Sequence, residues 1–537
     1  MFVNRLEVAL DLTLGGTVFS VPAGNIKRLS FEVLPYGFCV QLSFWFVCTA
    51  EASEDKIFAQ FIKPDLATAQ LAIDRKFDSV GEQCEPLVLK GLLHGKRFEE
   101  RAFEALSGQP VLHRHYHVEF ADRAQVLWKQ HFPTALYVDS SLSALIDANL
   151  PAGVRLSHQW SAGKVSSPVL SLALGSGGRA SFYDYLHWLL EQHHAGLFYD
   201  AKQDRYVIAD SKQEFGKAVQ FVPEDLQQVE VVLPTVVRSS CSVLNGSAAV
   251  TTREATIENS QKVSGVKRQC YMRSSVAADL SASKKREALR QAQGQVRAVV
   301  TFGRYPSTTM GSNLLAKLTD LPKTVFSQAQ PFRVTHIECC AEAESLLATD
   351  DVDDESNSYQ IDYRAVLEHQ TEPHFVYPSY VQPDWSLQVE GLVVSEVGDQ
   401  SQETYQHYRD KDTGVDYYKV EVPLWANKKV IAPYEPLMGS GHFYFPVYKG
   451  AKVLLALEHD RARIVGFVDW RAGARLPLET QGNHLLLGKK SEDQTSVRHV
   501  YKDGKPELCI ERTHGQDRQQ MEVSEGRIFL QTVATES

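Results

Sequence analysis

Closely spaced cysteines are missing from this sequence. Its eight cysteines are scattered, no Cys-x-x-Cys pair occurs, and the adjacent Cys339 and Cys340 cannot easily bridge each other. We therefore expect buried, reduced thiols rather than a disulfide framework or a zinc site. The cysteines are Cys39, Cys48, Cys84, Cys241, Cys270, Cys339, Cys340 and Cys509.

Long apolar runs are also missing. The N-terminus lacks the basic segment and apolar stretch of a secretory signal. The longest apolar run, residues 38–50, is too short to span a bilayer and is interrupted by Gln41 and Ser43. We expect the protein to be made and kept in the cytosol until another route exports it.

An excess of positive charge is the third absence. The formal net charge is −10, which excludes a global positive field that would attract nucleic acid or anionic lipid. Hydrophobic content is 43% and charged content 23%, as in soluble globular proteins. At 537 residues the chain is too long for one core, so we expect three or four domains.

Catalytic and phosphate-binding motifs are not found either. There is no Gly-x-Ser-x-Gly elbow, no His-Glu-x-x-His, and no defensible pair of hydrolytic carboxylates. Residues Gly91 to Lys96 have a spacing one residue too short for a P-loop, and Arg97 replaces its Ser/Thr. Residues 175–178 are Gly-rich and precede a helix that starts near Ser181, but no Lys-Ser/Thr follows, so we interpret them as a linker.

Two histidine patterns could bind zinc. The first places three histidines on one face of a strand, and the second places three metal-type ligands at i, i+4 and i+7 of a helix. We favour a solvent-facing strand surface for the first and a charged outer helix face for the second. The residues are His113, His115 and His117, and then His187, Glu191 and His194. We predict no catalytic residue, metal ligand or cofactor.

The segment Asn245-Gly246-Ser247 fits a glycosylation sequon. Because no secretory signal is seen, we interpret it as a turn.

Strand patterns dominate the first half of the sequence. Residues 2–90 alternate between apolar and polar positions, and residues 86–122 resemble a long hairpin. A helix is predicted near residues 140–150, and a clearer one begins with Ser181 as N-cap, with Gly196 at its left-handed C-cap.

The pattern continues through residue 368. A short hairpin is predicted over residues 197–210 and an exposed helix near Ser283 to Gln293. Residues 296–340 and 358–368 again alternate as strands, and we expect Asp350 to Asn357 to form a solvated acidic loop.

Residues 383–470 indicate a small closed Greek-key barrel. About five short strands are punctuated by Gly and Pro within fewer than a hundred residues. The alternating positions are Leu387, Val389, Gly391 and Val393, and then Tyr418, Val420 and Val422.

Residues 476–537 alternate in pairs separated by polar turns with Gly. Sixty residues cannot bury a core of their own, so we expect this segment to form an intertwined β-prism with partner chains, most simply as a trimer.

These motifs, in this order, resemble the VgrG-type spike proteins of contractile injection systems. The barrel resembles the family's OB-fold module, with Gly450-Ala451-Lys452-Val453 and a closing Ile-Val-Gly-Phe-Val strand. Residues 183–191 followed by Gly196-Leu197-Phe198-Tyr199 resemble its aromatic-Asp helix and the next strand, although the end of the helix is two residues longer here. Residues 311–321 followed by residues 331–337 resemble the barrel that closes its phage-hub-like region.

The resemblance implies a mainly β protein with tandem tube-protein-like β-barrels, small α+β inserts, an OB-fold barrel and a short intertwined β-helix or prism. It implies a hub region over residues 1–375, with barrels at 1–125 and about 215–345. The OB-fold domain would cover 380–475 and the trimeric spike 476–537. Some family members continue into a long β-helix or an effector domain, and here we expect a short spike.

The resemblance also implies a structural function. Two barrels per chain, in a homotrimer, would match a six-fold Hcp-like tube to a three-fold, membrane-puncturing spike. The expected partners are the inner tube protein, a PAAR-type tip protein, baseplate proteins and effectors, with no nucleic acid and the membrane only as target. Location would be cytoplasmic during assembly and then in a secreted or phage tail-like particle. The sequence does not distinguish a type VI system, an extracellular injection particle and a phage tail.

Two other functions are compatible with parts of the pattern. A tail-associated peptidoglycan hydrolase would need an inserted domain, and no long helical insertion lies between residues 470 and 485. An OB-fold nucleic-acid binder would need a basic groove with stacking aromatics. The barrel aromatics, such as Tyr417 and Phe443, read as core strand residues in an acidic chain.

Overall fold

The structure is a computed structural model of the chain. The described residues are 4–48, 55–75, 85–104, 110–175, 179–233, 240–245, 267–272, 296–317, 331–385, 387–394, 408–409, 416–433, 449–469, 483–490 and 493–534. They form two compact units. The first comprises Met1–Thr134, Ser141–Ser166 and Leu174–Asp384, and the second comprises Ala135–Ser140, Ser167–Ala173 and Trp385–Ser537.

The protein is mainly β, as predicted. In chain order up to residue 193 the elements are β1 (Asn4–Leu14), β2 (Thr17–Val21), β3 (Ile26–Leu34), β4 (Gly37–Cys48), α1 (Phe58–Phe61), β5 (Thr68–Arg75), β6 (Leu87–Glu104), β7 (Pro110–Ala121), α2 (Arg123–Trp128), β8 (Thr134–Ser141), α3 (Leu142–Ala148), β9 (Leu156–Gln159), β10 (Ser166–Ala173) and α4 (Phe182–His193). The next are β11 (Gly196–Asp200), β12 (Arg205–Ala209), β13 (Val219–Gln220), β14 (Leu226–Val232), β15 (Ser240–Asn245), β16 (Lys267–Met272), β17 (Arg297–Phe302), β18 (Leu315–Lys317), β19 (Phe332–Ala343) and β20 (Ser356–His369).

The remaining strands are β21 (Leu387–Val394), β22 (Tyr408–Arg409), β23 (Asp416–Val422), β24 (Lys428–Pro433), β25 (Lys452–Glu458), β26 (Arg461–Asp469), β27 (Asn483–Lys490), β28 (Asp493–Lys502), β29 (Lys505–His514), β30 (Asp517–Ser524) and β31 (Arg527–Val533). Short 3₁₀ turns occur at Ala23–Asn25, Ala162–Lys164, Pro223–Asp225 and Pro423–Trp425.

A closed antiparallel barrel forms the centre of the first unit. Within the described ranges, the strands pair around a ring in the order β19, β3, β4, β7, β6, β5, β1, β20 and back to β19. Alternate residues of β1, such as Leu6, Val8 and Leu10, are buried inside it. The predicted barrel boundary at residue 125 is therefore too early, because β19 and β20, more than 200 residues later, close the ring.

The same two long strands carry a second sheet. β17 and β14 continue from β20, and β18 and β13 continue from β19. These strands extend to His369, beyond the predicted limit near residue 345. β19 and β20 thus belong to both sheets of the first unit.

The small α+β insert contains the clearest predicted helix. Ser181 is the N-cap of α4 and forms a capping box with Asp184, as expected. The predicted C-cap is wrong, because His194 adopts the left-handed conformation (φ 51°, ψ 51°) and Gly196 already begins β11. A Cβ on Gly196 would lie 2.8 Å from the Phe375 ring, so close packing requires the glycine.

Three other local predictions on described residues are confirmed. α3 begins after Ser141, whose side chain accepts a hydrogen bond from the backbone of Ala144. The hairpins β6–β7 and β11–β12 pair as expected. The predicted helix at Ser283 to Gln293 lies outside the described residues.

The acidic loop predicted over Asp350 to Asn357 differs in part from its prediction. Its side chains from Asp351 to Glu355 are exposed, but its backbone is tied to the barrel. The buried Lys27 ammonium donates to the Asp350 carbonyl at 2.8 Å, and the Gly24 amide donates to the Asp354 carbonyl at 2.9 Å. Ser356 and Asn357, expected in the solvated loop, are buried at the start of β20.

The second unit contains a sheet in which some adjacent strands are not consecutive along the chain. Its strands pair in the order β24, β23, β21, β25 and β26, with β22 beside β23. Two segments predicted to lie in the hub region also belong to this unit: Leu136 of β8 and Val169 of β10 join its apolar core. The Ser171 hydroxyl donates to the Glu458 carbonyl at 2.7 Å. The other domain boundaries stay predictions.

The last strands form an antiparallel meander. β27, β28, β29, β30 and β31 each pair with the next strand of the same chain. This differs from the predicted intertwined segment, in which hydrogen bonds would run between chains, because tight Gly-bearing turns such as Gly504 and Gly515 return each strand beside its predecessor.

Candidate functional site

The meander presents an apolar face. The strand register places five apolar residues opposite one another in a single row across the sheet. A shorter second row lies beside it. The first row is Leu485, Val497, Ile510, Met521 and Leu530, and the second is Leu508, Val523 and Ile528.

Half of this face is exposed in the described part of the chain, and the other half is partly buried. The exposed residues are Leu485, Leu508, Ile528 and Leu530. The side chain of Leu530 is 72% exposed and that of Ile528 is 70% exposed. Contiguous exposed apolar surface of this kind marks an interaction site in soluble proteins. We call the eight residues of the two rows the apolar sheet face.

The opposite face of the meander is polar. Glu511 forms ion pairs with Arg518, at an N–O distance of 2.7 Å, and with Arg498, at 3.4 Å. Cys509 is buried on this side and contacts the amide of Gln520. The two faces therefore differ in chemistry, and only the apolar sheet face is suited to pack against apolar surface of another chain.

The strand histidines lie on the barrel face opposite the apolar interior, as their spacing predicts. They are only half-exposed, because His115 stacks on Trp45 with ring centroids 4.0 Å apart and lies 4.1 Å from His117. Burial and the neighbouring His117 lower the pKa of His115 to about 4. Burial also lowers the pKa of His113. The row is thus an aromatic, uncharged strip at neutral pH rather than a freely solvated surface.

The helix histidines do not share a charged outer face, and that prediction is wrong for His187. Its side chain is buried between the rings of Tyr36 and Tyr183, at centroid distances of 5.3 Å and 4.5 Å. Burial lowers its pKa to about 3. Glu191 accepts a hydrogen bond from Tyr380, and His194 caps the helix, so the three residues have separate roles.

The described residues contain no group of three or more His, Cys, Asp or Glu arranged to hold a metal ion. No described helix combines the length and apolar content that crossing a bilayer requires.

Of the weaker sequence motifs, the segment that resembles a P-loop lies within a strand. Gly91 to Lys96 lie in β6. Residues 176–178 of the Gly-rich segment and 246–247 of the sequon lie outside the described residues.

The thiols agree in part with expectation. Cys39, Cys339, Cys340 and Cys509 are free, and Cys339 and Cys509 are buried. Cys340 is exposed, contrary to the prediction, because it points away from the barrel interior that Cys339 faces.

Sequence reasoning missed a polar groove on the same barrel face as the strand histidines. It has a volume of about 880 Å³. Ser43 lies on its floor, and its one sequence signal was a hydroxyl within an apolar stretch.

Comparison with solved structures identifies the fold. The chain is similar to a chain of the lidded Francisella PdpA–VgrG complex, with a TM-score of 0.72 and 12% identity over 99% of this chain and 80% of that one. The lidless complex gives a TM-score of 0.71 and 12% identity over 99% of both chains. At this identity the similarity shows the fold: the chain has the architecture of a component of the PdpA–VgrG complex. No family model matches the sequence, and a search of curated protein sequences found no significant match.

Proposed function

We propose that the chain is a structural spike and hub protein of a contractile injection machine or phage-like tail, acting as a homotrimer. The apolar sheet face carries this proposal, because it is an exposed apolar surface on a thin sheet that has no second layer in the described chain. Three copies facing inward would bury these rows around a common axis as a three-sided prism.

The fold supports the same role. The similar Francisella chains belong to a complex whose name includes VgrG, the family whose motifs this sequence resembles. The first unit has a closed barrel and a second sheet that share two strands, which suits the proposed two tube-like modules per chain. The order β24, β23, β21, β25, β26 supports an OB-fold barrel in the second unit.

The remaining elements of the proposal follow from that role. The partners would be an Hcp-like tube protein, a PAAR-type tip protein, baseplate proteins and effectors. The chain would be cytoplasmic during assembly, would then travel with the particle, and would perform no catalysis.

The solution mass of the full-length chain tests the proposal. We expect light scattering to give a trimer, and we expect the double variant Ile528→Asp and Leu530→Asp to give monomers, because six carboxylates would enter the apolar centre. The matched control is Gln531→Glu, which adds a charge on the polar face of the same strand and should leave the trimer intact.

Any of three results would contradict this. A monomeric full-length chain at micromolar concentration would leave the apolar sheet face without the proposed partner. Hydrolysis of peptidoglycan, or salt-dependent binding of a single-stranded oligonucleotide, would instead favour the enzymatic or nucleic-acid-binding alternative.

A further inference from the structure

The polar groove crosses the barrel strands β6, β7, β4, β3, β19 and β20 on the side opposite the apolar interior. One row of cross-strand neighbours runs along it, from a basic end to an acidic end. The row is Arg97, His117, Ser43, Arg28, Glu342 and Gln360.

The floor of the groove contains two polar atoms that the described protein does not satisfy. Ser43 is only 4% exposed, and its hydroxyl has no hydrogen-bond partner among the described residues. The buried Nε2 of His117, on the opposing position of the next strand, is in the same state. Native proteins rarely leave buried polar atoms unpaired, so these two neighbours on the groove floor require hydrogen-bond partners from outside the described chain.

Two exposed arginines flank these atoms. Neighbouring strands lie about 4.8 Å apart, so the Cα atoms of Arg97 and Arg28 are separated by roughly 14 Å, which their side chains can span from both sides. Arg28 forms an ion pair with Glu342 at 3.1 Å, and both side chains are more than half exposed. Burial and the positive charge of Arg97 lower the pKa of His117, which keeps the ring neutral at pH 7.

We propose that this groove binds a carboxylate presented by a polypeptide partner. The carboxylate would accept hydrogen bonds from the Ser43 hydroxyl and from the Nε2–H tautomer of His117, between the guanidinium groups of Arg28 and Arg97. Glu342 and Asp362 line the other end of the groove. A segment with both charge signs matches this lining, whereas the uniform negative charge of a nucleic acid would meet the two carboxylates. The inference does not depend on the proposed spike function.

The test uses the full-length chain and a fluorescein-labelled hexapeptide with glutamate at one end and lysine at the other, so that it carries both charge signs. Its counterpart has glutamine in place of the glutamate. We expect fluorescence anisotropy to show binding of the glutamate peptide alone. Ser43→Ala and Arg97→Gln should each weaken it about tenfold, as expected for a lost hydrogen bond or ion pair to a charged group. Arg461→Gln, an exposed arginine paired with Glu458 in the second unit, is the matched control and should have no effect.

A stability measurement separates binding from a structural role. Ser43→Ala removes an unpaired buried hydroxyl, so its melting temperature should equal or exceed that of the wild type while its affinity falls. Equal binding of both peptides, no binding at millimolar concentration, or affinities unchanged by Ser43→Ala and Arg97→Gln would overturn the proposal. An oligonucleotide that binds with the same sensitivity to both variants would also overturn it. None of these outcomes would alter the mass measurement that tests the spike function.

Discussion

Replacing Asp225 with Asn perturbs an ionic centre of the first unit. The Asp225 carboxylate is 2% exposed and is held by residues from separate parts of the chain. It accepts from Arg75 at the end of β5 at 3.2 Å, from the Arg304 guanidinium, and from the Ser307 amide at 2.8 Å. The substitution keeps the shape of the side chain and removes its charge.

We expect the Asp225→Asn variant to lose about 3 to 5 kcal/mol of stability, the usual cost of removing one partner from a buried ion pair. The value is high because Arg75 is only 10% exposed and stays buried beside a neutral group. Asp362→Asn is the matched control: its ion pair with Arg364 has both side chains about half exposed. That variant should lose less than about 1 kcal/mol.

The difference between the variant and the wild type should depend on pH. Burial tends to raise the pKa of Asp225, but its hydrogen bonds from Ser307 and its pairing with Arg304 outweigh burial and lower it. A carboxylate with a lowered folded-state pKa stabilises the protein above its unfolded value of about 4 and loses this contribution as pH falls through the folded value. The stability gap should therefore be constant from pH 7 to pH 5 and shrink toward pH 3.

Hydrogen–deuterium exchange of peptides from β14 and β17 measures this locally, without requiring the whole chain to unfold in one step. Faster exchange in Asp225→Asn than in Asp362→Asn at pH 7 is expected. A gap that stays the same down to pH 3, or one no larger than the control, would refute the reasoning.

Three further predictions concern packing, pH and loop attachment. Gly196→Ala should lower the melting temperature because the added Cβ would lie 2.8 Å from the Phe375 ring and 2.9 Å from the Phe198 ring. Gly466→Ala should leave the melting temperature unchanged because no atom of the described residues, its chain neighbours aside, lies within 4 Å of the added Cβ. The pKa of His187 is lowered to about 3, so the wild type should lose stability as pH falls from 6.5 toward 4. In thermal melts, His187→Phe should weaken this pH dependence. The control His514→Gln, at an exposed site, should leave the pH dependence unchanged. Lys27→Met removes the ammonium that donates to the acidic loop, so limited proteolysis should cut the loop faster than in the wild type. An unchanged rate of loop cleavage would contradict the assigned contact.

Local features of the fold could be predicted because their signals are local. The capping box of α4 needs only Ser181 and Asp184, three residues apart, and period-two alternation identifies strands such as β1 from a few neighbours. Closure of the barrel could not be predicted in this way. β20 pairs with β1 through contacts such as Asn4 with Tyr359, and no local pattern encodes a partner so distant in sequence.

The sites show the same division. Alternation in the last sixty residues predicted a segment with too little core, but only the register revealed that its apolar residues lie in rows on one face. His187 was wrongly predicted on an exposed helix face because histidine is a polar residue. A neutral imidazole can nevertheless pack within an aromatic core, as this one does. The groove at Ser43 was missed because burial of a hydroxyl without a partner becomes visible only after neighbouring strands are placed.

The sharing of β19 and β20 between two sheets also orders events during synthesis. The ribosome synthesises β1 to β7 well before residues 332–369. During that interval β1 lacks its neighbour β20, and β3 lacks its neighbour β19. Contacts this remote in sequence form slowly, and unpaired strand edges invite aggregation. The first barrel is therefore a product of nearly the whole first unit, and it can close only after β20, which ends at His369, has been synthesised.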